Sequence, residues 1–411
     1  MNAATSHYAG PTPQGRPVSV LMVAQEWNSG NGGLATLNRS LCVAFAAVGA
    51  SVVCLMPSAS PEERAHAAAH GVELVEARSV LGGLPRQALV RRPPLAPDWV
   101  PDLIGGHSRF TGPEAMCLAE DFFPRAKRLQ FIHIAPDEME WCRRDRADDA
   151  GVRAEDRTGL ELALAAGAYR AVAVGPRLHG LLRRDLSVYP GVPEPALLVP
   201  GFDSEPFRPR TPPPGEPVQI LLMGRLEDFE IKGVDIAARA LGRAVSLRGG
   251  AGCPEIELLV RGAPPGETAA LRDRILDLAG DIDLRVTVRC FTTDRVSLDQ
   301  ELMRASLVLV CSRAEAFGLV GHEAIIAGTP VLISDRCGLS SLLDYGVGSA
   351  KAAGPVVPVT RRLDEDVERW GYRIAAVLDD RAAAFRRADE LRRALAARWT
   401  WQDSAEEILG L

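Results

Sequence analysis

The chain has 411 residues, of which 47% are hydrophobic and 24% charged, and its formal net charge is −6. That length exceeds what one ordinary core supports and predicts two domains. With 47 basic residues against 53 acidic ones, the balance has the wrong sign for neutralising many phosphates, so nucleic acid is not an expected partner.

Residues 1–16 read as a disordered tail ending near Pro17, with no apolar core of a signal peptide. No apolar run reaches the roughly 18 residues that a membrane-spanning helix needs. The eight cysteines include no CxxC pair and no zinc spacing, so they read as small core hydrophobes in a reducing compartment. A cytoplasmic location is expected. Only three of the basic residues are lysines, Lys127, Lys232 and Lys351, which raises the question of what each does that arginine would not.

After the tail, short apolar runs alternate with amphipathic helical stretches. Val18–Ala24, Ser51–Pro57, Val72–Ala77, Asp102–Gly106, Leu129–Ile134, Ala171–Gly175 and Ala196–Pro200 read as strands. Apolar runs without polar alternation suit parallel strands covered on both faces. Strands separated by helices imply right-handed βαβ units and a doubly wound α/β sheet. This predicts a first Rossmann-like domain over 17–200. Its first strand runs into Gln25–Gly33, a glycine-rich turn before a helix, where backbone N–H groups can approach a phosphate. The spacing is not GxGxxG, so a dinucleotide cofactor is not expected.

The segment 201–217, dense in Pro and Gly, reads as a linker. The βα rhythm then restarts and predicts a second Rossmann-like domain over 218–395. Its strands are Gln219–Met223, Ile256–Val260, Val286–Phe291, Leu307–Cys311 and Val331–Ser334. A ligand is expected at the carboxyl ends of the two sheets, in a cleft between the domains. Arg225 follows the first of these strands and Lys232 opens the next helix, so two cations emerge where a diphosphate could be neutralised. The bland alternative is a pair of surface salt bridges to Glu227, Asp228 and Glu230. The densest constellation is Ser312–Ala324. A buried strand ends, Glu315 follows, a helix opens near Gly318, and Glu323 stands eight positions after Glu315. Carboxylates on either side of a phosphate-binding helix start can grip sugar and ribose hydroxyls. Asp281-Ile282-Asp283 reads as a solvated turn rather than a metal motif, and no metal is expected. Arg361–Leu411 reads as helical, with Arg386, Arg387, Arg392 and Arg393 on a solvated face. The alternative reading of that face is peripheral contact with an anionic membrane. A final helix over 396–411 is expected to pack back on the first domain.

These residues resemble the retaining glycosyltransferases of family 4, which have the GT-B fold of two Rossmann-like domains facing across a cleft. The E-x7-E motif is Glu315 to Glu323 with Phe317-Gly318-Leu319-Val320 inside. Gly224-Arg225 with Lys232-Gly233, the turn Gly32-Gly33 and the strand end Phe131-Ile132-His133 are further points of likeness. The resemblance implies a nucleotide-diphosphate sugar as donor, an unidentified acceptor, and no cofactor or metal. It implies that Arg225 and Lys232 stabilise the departing diphosphate, that Glu315 holds the donor sugar and that Glu323 holds the ribose. The N–H groups of Gly318, Leu319 and Val320 would meet the phosphates. His133 would lie beside the anomeric centre, Gly32 and Gly33 would border the diphosphate and acceptor, and His107 would line the acceptor side. One departure is Asp335-Arg336-Cys337-Gly338, where the family often carries Gly-Gly and a Glu. A nucleotide-sugar epimerase and a non-catalytic nucleotide-sugar binder are the competing readings.

Overall fold

A computed structural model of the chain describes residues 16–28, 33–143, 148–203, 209–249 and 255–411. These form two compact units. The first comprises the described residues up to Ala135, then Glu155–Gly201 and Trp399–Leu411; the second comprises those of Pro136–Ala154 and Phe202–Arg398. Residues 1–15 of the expected tail, and residues 204–208 of the expected linker, lie outside the described residues, while Arg16 is held by Asp102 at 2.6 Å.

In the first unit, strands β1 (Ser19–Val23), β2 (Ser51–Met56), β3 (Val72–Glu76), β4 (Leu103–His107), β5 (Lys127–Ile132), β6 (Arg170–Val174) and β7 (Ala196–Leu198) form one sheet. Their order is β3-β2-β1-β4-β5-β6-β7, and every pair is parallel. Burial explains the sequence pattern. All five residues of β1 and of β4 are buried, whereas the edge strand β3 leaves Glu73 and Glu76 exposed. Strand order reverses between β1 and β4, where Val20 pairs with both Val52 and Leu103. Residues emerging from the carboxyl ends of these two strands therefore meet at a topological switch point. They are the turn after Ala24 and His107. The C-terminal helix Trp401–Leu409 belongs to this unit. It packs against the helix Gly33–Ala47, and Ser404 Oγ donates to the Val199 carbonyl at 2.5 Å.

In the second unit, β8 (Val218–Met223), β9 (Ile256–Ala263), β10 (Leu284–Cys290), β11 (Leu307–Val310), β12 (Val331–Ser334) and β13 (Val356–Val357) are again all parallel. The order is β10-β9-β8-β11-β12-β13, with the switch point between β8 and β11. The expected class, two doubly wound α/β sheets, is the one observed. Helix Val234–Arg248 packs along helix Leu363–Asp379 over this sheet, with Leu241, Ile374 and Trp370 wholly buried. Each such aliphatic side chain contributes roughly 1.5–3 kcal/mol on burial. Asp281-Ile282-Asp283 lies in the bend between helix Thr268–Ala279 and β10.

Two features differ from the sequence pattern. Pro136–Ala154 interrupts the first unit in sequence and belongs to the second, where Arg143 meets Asp228 at 3.2 Å and Cys142 Sγ reaches the Arg313 carbonyl at 4.0 Å. Arg392 is not on a solvated face. It is 4% exposed, pairs with Asp389 at 2.9 Å and donates to the Ile326 carbonyl, while Arg386, Arg387 and Arg393 are exposed. Among the described residues, no helix is long and apolar enough to cross a membrane.

Candidate active site

The switch point of the second sheet gathers the two cation and carboxylate motifs. From β8 the chain passes Gly224 and Arg225 into a short 3-10 turn, Leu226–Asp228. Arg225 is half-exposed and lies 3.4 Å from Asp228, which Arg143 also approaches. To this extent Arg225 makes the surface salt bridge that the acid-rich loop suggested. Lys232 does not. Its Nζ donates to Glu315 Oε2 at 2.5 Å, across 83 residues of sequence, and Ser312 Oγ meets the same oxygen at 3.2 Å. Both Lys232 and Glu315 are about one-fifth exposed, so a ligand can reach the pair. Because Oε2 takes both bonds, Oε1 is left to accept from a ligand hydroxyl.

The reason Lys232 reaches Glu315 is backbone contact. Gly233 is left-handed, with φ +65°, and a Cβ there would lie 2.0 Å from the Cys311 carbonyl oxygen at the end of β11. Only glycine permits that approach. The same turn is fastened by Arg313, whose N–H donates to the Ile231 carbonyl at 2.7 Å. Its guanidinium grips Asp235 with two 2.7 Å bonds. Arg313 and Asp235 carry nothing in the sequence that marks them for this role.

Beyond Glu315, Gly318 caps the helix Leu319–Ile326 with φ +100°, where a Cβ would lie 2.2 Å from Cys337 Sγ. His322 makes the first in-helix bond, to Gly318, so the N–H groups of Leu319, Val320 and Gly321 precede the ladder and carry the positive end of the helix dipole. The departure Asp335–Gly338 packs directly on this loop. Gly338 N–H donates to the Glu315 carbonyl at 3.0 Å, and Cys337 Sγ to the Phe317 carbonyl at 3.0 Å. Glu323 accepts from Arg295 at 2.6 Å through Oε1, and Arg295 also meets Asp299 at 2.8 Å. Arg295, which follows the N-cap Asp294 at the start of helix Arg295–Arg304, neutralises Glu323, and nothing in its sequence context marks it as a site residue. His322, which is buried, packs between the rings of Phe202 and Phe317.

In the first unit, the ends of β4 and β5 bring His107 and His133 together. His107 Nε2 lies 2.8 Å from Asn38 Oδ1, and His107 Nδ1 lies 2.8 Å from His133 Nε2. The Asn38 oxygen accepts only, so His107 carries its proton on Nε2. Its Nδ1 must then accept from His133 Nε2–H. This arrangement requires His107 to be neutral, and burial keeps His133 neutral as well, so the His133 proton sits on Nε2 and its Nδ1 is left bare. Burial, then the neighbouring His133, holds His107 well below the ordinary histidine range, and burial pushes His133 down to about 3. Ser108, wholly buried, adopts φ +44°, unusual for a residue with a side chain, and its Oγ accepts from His133 N–H at 3.0 Å. The buried Glu161 carboxylate accepts from Arg109 N–H at 3.0 Å, and burial raises its carboxyl to about 7 against the weaker pull of Arg109. Gly33 opens the helix Gly33–Ala47 and is exposed, whereas Gly32 lies outside the described residues. Among the described residues, no group of three His, Cys, Asp or Glu side chains could hold a metal ion.

These groups link stability to pH. Between about 3 and 6.5 the unfolded chain binds histidine protons that folded His133 refuses, so this contribution to stability is lost on acidification. Glu161 acts oppositely, because the folded state keeps its proton up to about 7 while the unfolded carboxyl loses it near 4.5. Glu161→Gln removes the opposing contribution. Urea unfolding between about pH 5 and 6.5 is expected to show a steeper fall of stability with acid in this variant than in the parent. Parallel profiles would contradict the assignment.

Comparison with known proteins gives three findings. The family model described as family 4 glycosyltransferase in conflict systems matches residues 21–408. D-inositol 3-phosphate glycosyltransferase 1 of Catenulispora acidiphila is 30% identical over 243 residues, which are 55% of this chain and 53% of that protein. The chain spans about half the length of the curated relatives it matches. Among solved structures, sucrose-phosphate synthase from Thermosynechococcus elongatus aligns with a TM-score of 0.65 at 20% identity, over 96% of this chain and 98% of that one. Anabaena HepE in complex with UDP and glucose gives 0.63 at 16% identity, with the same coverage. At these identities the likeness shows the fold, which is GT-B.

Proposed function

This chain belongs to the family 4 glycosyltransferases of conflict systems, and we propose that it transfers a sugar from a nucleoside-diphosphate donor to an acceptor hydroxyl, with retention and without a metal ion. The observation that carries the reading is the Lys232–Glu315 contact at a strand switch point, beside a glycine-capped helix start. Breaking the bond from the anomeric carbon to the phosphate oxygen leaves negative charge on the diphosphate. Lys232, Arg225 and the N–H groups of Gly318, Leu319 and Val320 supply positive charge for it. Glu315 Oε1 holds the sugar hydroxyls, and Glu323 the ribose. We assign neutral His133 to the anomeric carbon, with Nδ1 able to accept, while His107, wholly buried, supports it from behind and does not line the acceptor side as the sequence suggested. Gly32 and Gly33 border the diphosphate. In same-face attack the acceptor oxygen bonds to the anomeric carbon, and its proton passes to the departing phosphate oxygen. Two carboxylates flanking the sugar, as in a retaining hydrolase, are not required. The buried thiols Cys42, Cys54, Cys311 and Cys337 agree with a reducing, cytoplasmic setting.

A thermal-shift panel of UDP-, GDP-, ADP- and dTDP-sugars and their diphosphates tests the reading. At a concentration of about 100 Kd, a ligand that binds only the folded state adds about 2.7 kcal/mol. This corresponds to a rise of several degrees, about 2–4 °C for each kcal/mol in a domain of this size. At least one donor is expected to produce such a rise. If none moves the midpoint at millimolar concentration, the transferase reading fails.

A further inference from the structure

A second concave site lies at the other edge of the second sheet. The proposed donor residues follow the carboxyl ends of β8 and β11, whereas this cavity, of about 430 Å³, lies at the amino ends of β12 and β13. That volume is within the range of small-molecule sites. Leu332 and Ile325 are among the apolar residues that line it.

The space exists because the facing helices present alanine. Ala384 and Ala388, four residues apart on helix Arg381–Ala396, share one face, and Ala376 of helix Leu363–Asp379 lines the same space. Larger side chains would have closed it.

The polar groups are one-sided. Lys351, Arg373 and Arg387 line the cavity against a single carboxylate, Glu390. Arg373 is held by the carbonyls of Ala353 and Gly354. Burial, and then the charge of Arg387, pulls its guanidinium below the ordinary range, so the two cations are close enough to repel. Asp389, the nearest acid in sequence, is already taken by Arg392 and Arg393. Among the described residues, neither Lys351 nor Arg387 makes a side-chain hydrogen bond or ion pair. Cations that repel one another beside an apolar hollow are complementary to one kind of ligand, an anionic head on an apolar body.

We propose that this cavity binds a small amphipathic anion, a carboxylate or phosphate monoester with an aliphatic tail, the tail lying over Leu332 and Ile325 and the head between Lys351 and Arg387. The site is independent of the transferase reading.

Isothermal titration of the whole protein with decanoate, decyl phosphate, decanol, acetate and inorganic phosphate tests it. Decanoate or decyl phosphate is expected to bind at micromolar to submillimolar concentration, and which binds tighter identifies the head group. Decanol, acetate and phosphate are each expected to bind at least about tenfold more weakly. The double variant Lys351→Ala with Arg387→Ala alters only exposed side chains, and is expected to lose about tenfold or more in affinity for the anion. Ala388→Phe is expected to abolish binding by filling the hollow, and its circular dichroism and urea unfolding show whether it has folded. Decanol binding as tightly as decanoate, undiminished binding in the double variant, or no binding of either anion at 1 mM would overturn the proposal.

Discussion

Lys232→Ala is expected to lower turnover by about 100-fold, with donor affinity reduced less, because the ammonium is matched to charge that develops as the diphosphate departs. The variant also strips Glu315 of its charged partner and leaves only Ser312 on Oε2. Arg225→Ala is expected to cost less, since Arg225 is half-exposed and shares Asp228 with Arg143. Lys232→Arg is not expected to restore activity. The Lys232 stem packs against Gly224, where even an added Cβ would lie 3.3 Å from Lys232 Cδ, and a planar guanidinium needs more room than a single ammonium. In a chain that uses arginine almost everywhere else, this accounts for one of its three lysines. Steady-state release of nucleoside diphosphate is the measurement. Turnover within about twofold of the parent in Lys232→Ala would reduce Lys232 to a structural ion pair.

The sheets were legible because buried parallel strands leave uninterrupted apolar runs, and Leu307–Val310 or Val331–Ser334 can hardly be read otherwise. Glu315 and Lys232 were legible one at a time, each beside a glycine after a strand. Their contact was not, because 83 residues separate them and the switch between β8 and β11 brings them together. The groups that hold the site in shape were hidden for the same reason. Arg313 with Asp235, Arg295 with Glu323, and Asn38 with His107 each join distant segments, and each residue alone fits an ordinary helix or turn. Burial of charge was hidden too. Arg392 and Glu161 lie in helices rich in polar residues, and nothing in their periodicity separates them from solvated neighbours. Pro136–Ala154 belongs to the second unit, and contacts such as Arg143 with Asp228 join residues too far apart in sequence to leave a local pattern.

Gly233→Ala is expected to be the most damaging single methyl addition near the site. Two costs combine. At φ +65° an alanine is held in the left-handed region, at about 1–2 kcal/mol. The added Cβ would also lie 2.0 Å from the Cys311 carbonyl oxygen and 2.7 Å from its carbon, both backbone atoms at the exit of β11, so no rotamer relieves the contact. The turn or the strand end must move. Since Lys232 stands on the turn and Glu315 four residues beyond Cys311, the movement separates the charges that the reaction needs. Gly266 supplies the control, for it has φ +86° with nothing within 4 Å of an added Cβ, and Gly266→Ala pays the conformational cost alone. Urea unfolding is expected to show a loss of about 3 kcal/mol or more for Gly233→Ala, against about 1 kcal/mol for Gly266→Ala. Turnover of the folded fraction is expected to fall only in the former. Equal losses in the two variants would mean that the approach of Gly233 to Cys311 relaxes without cost, and that something other than this backbone contact sets Lys232 against Glu315.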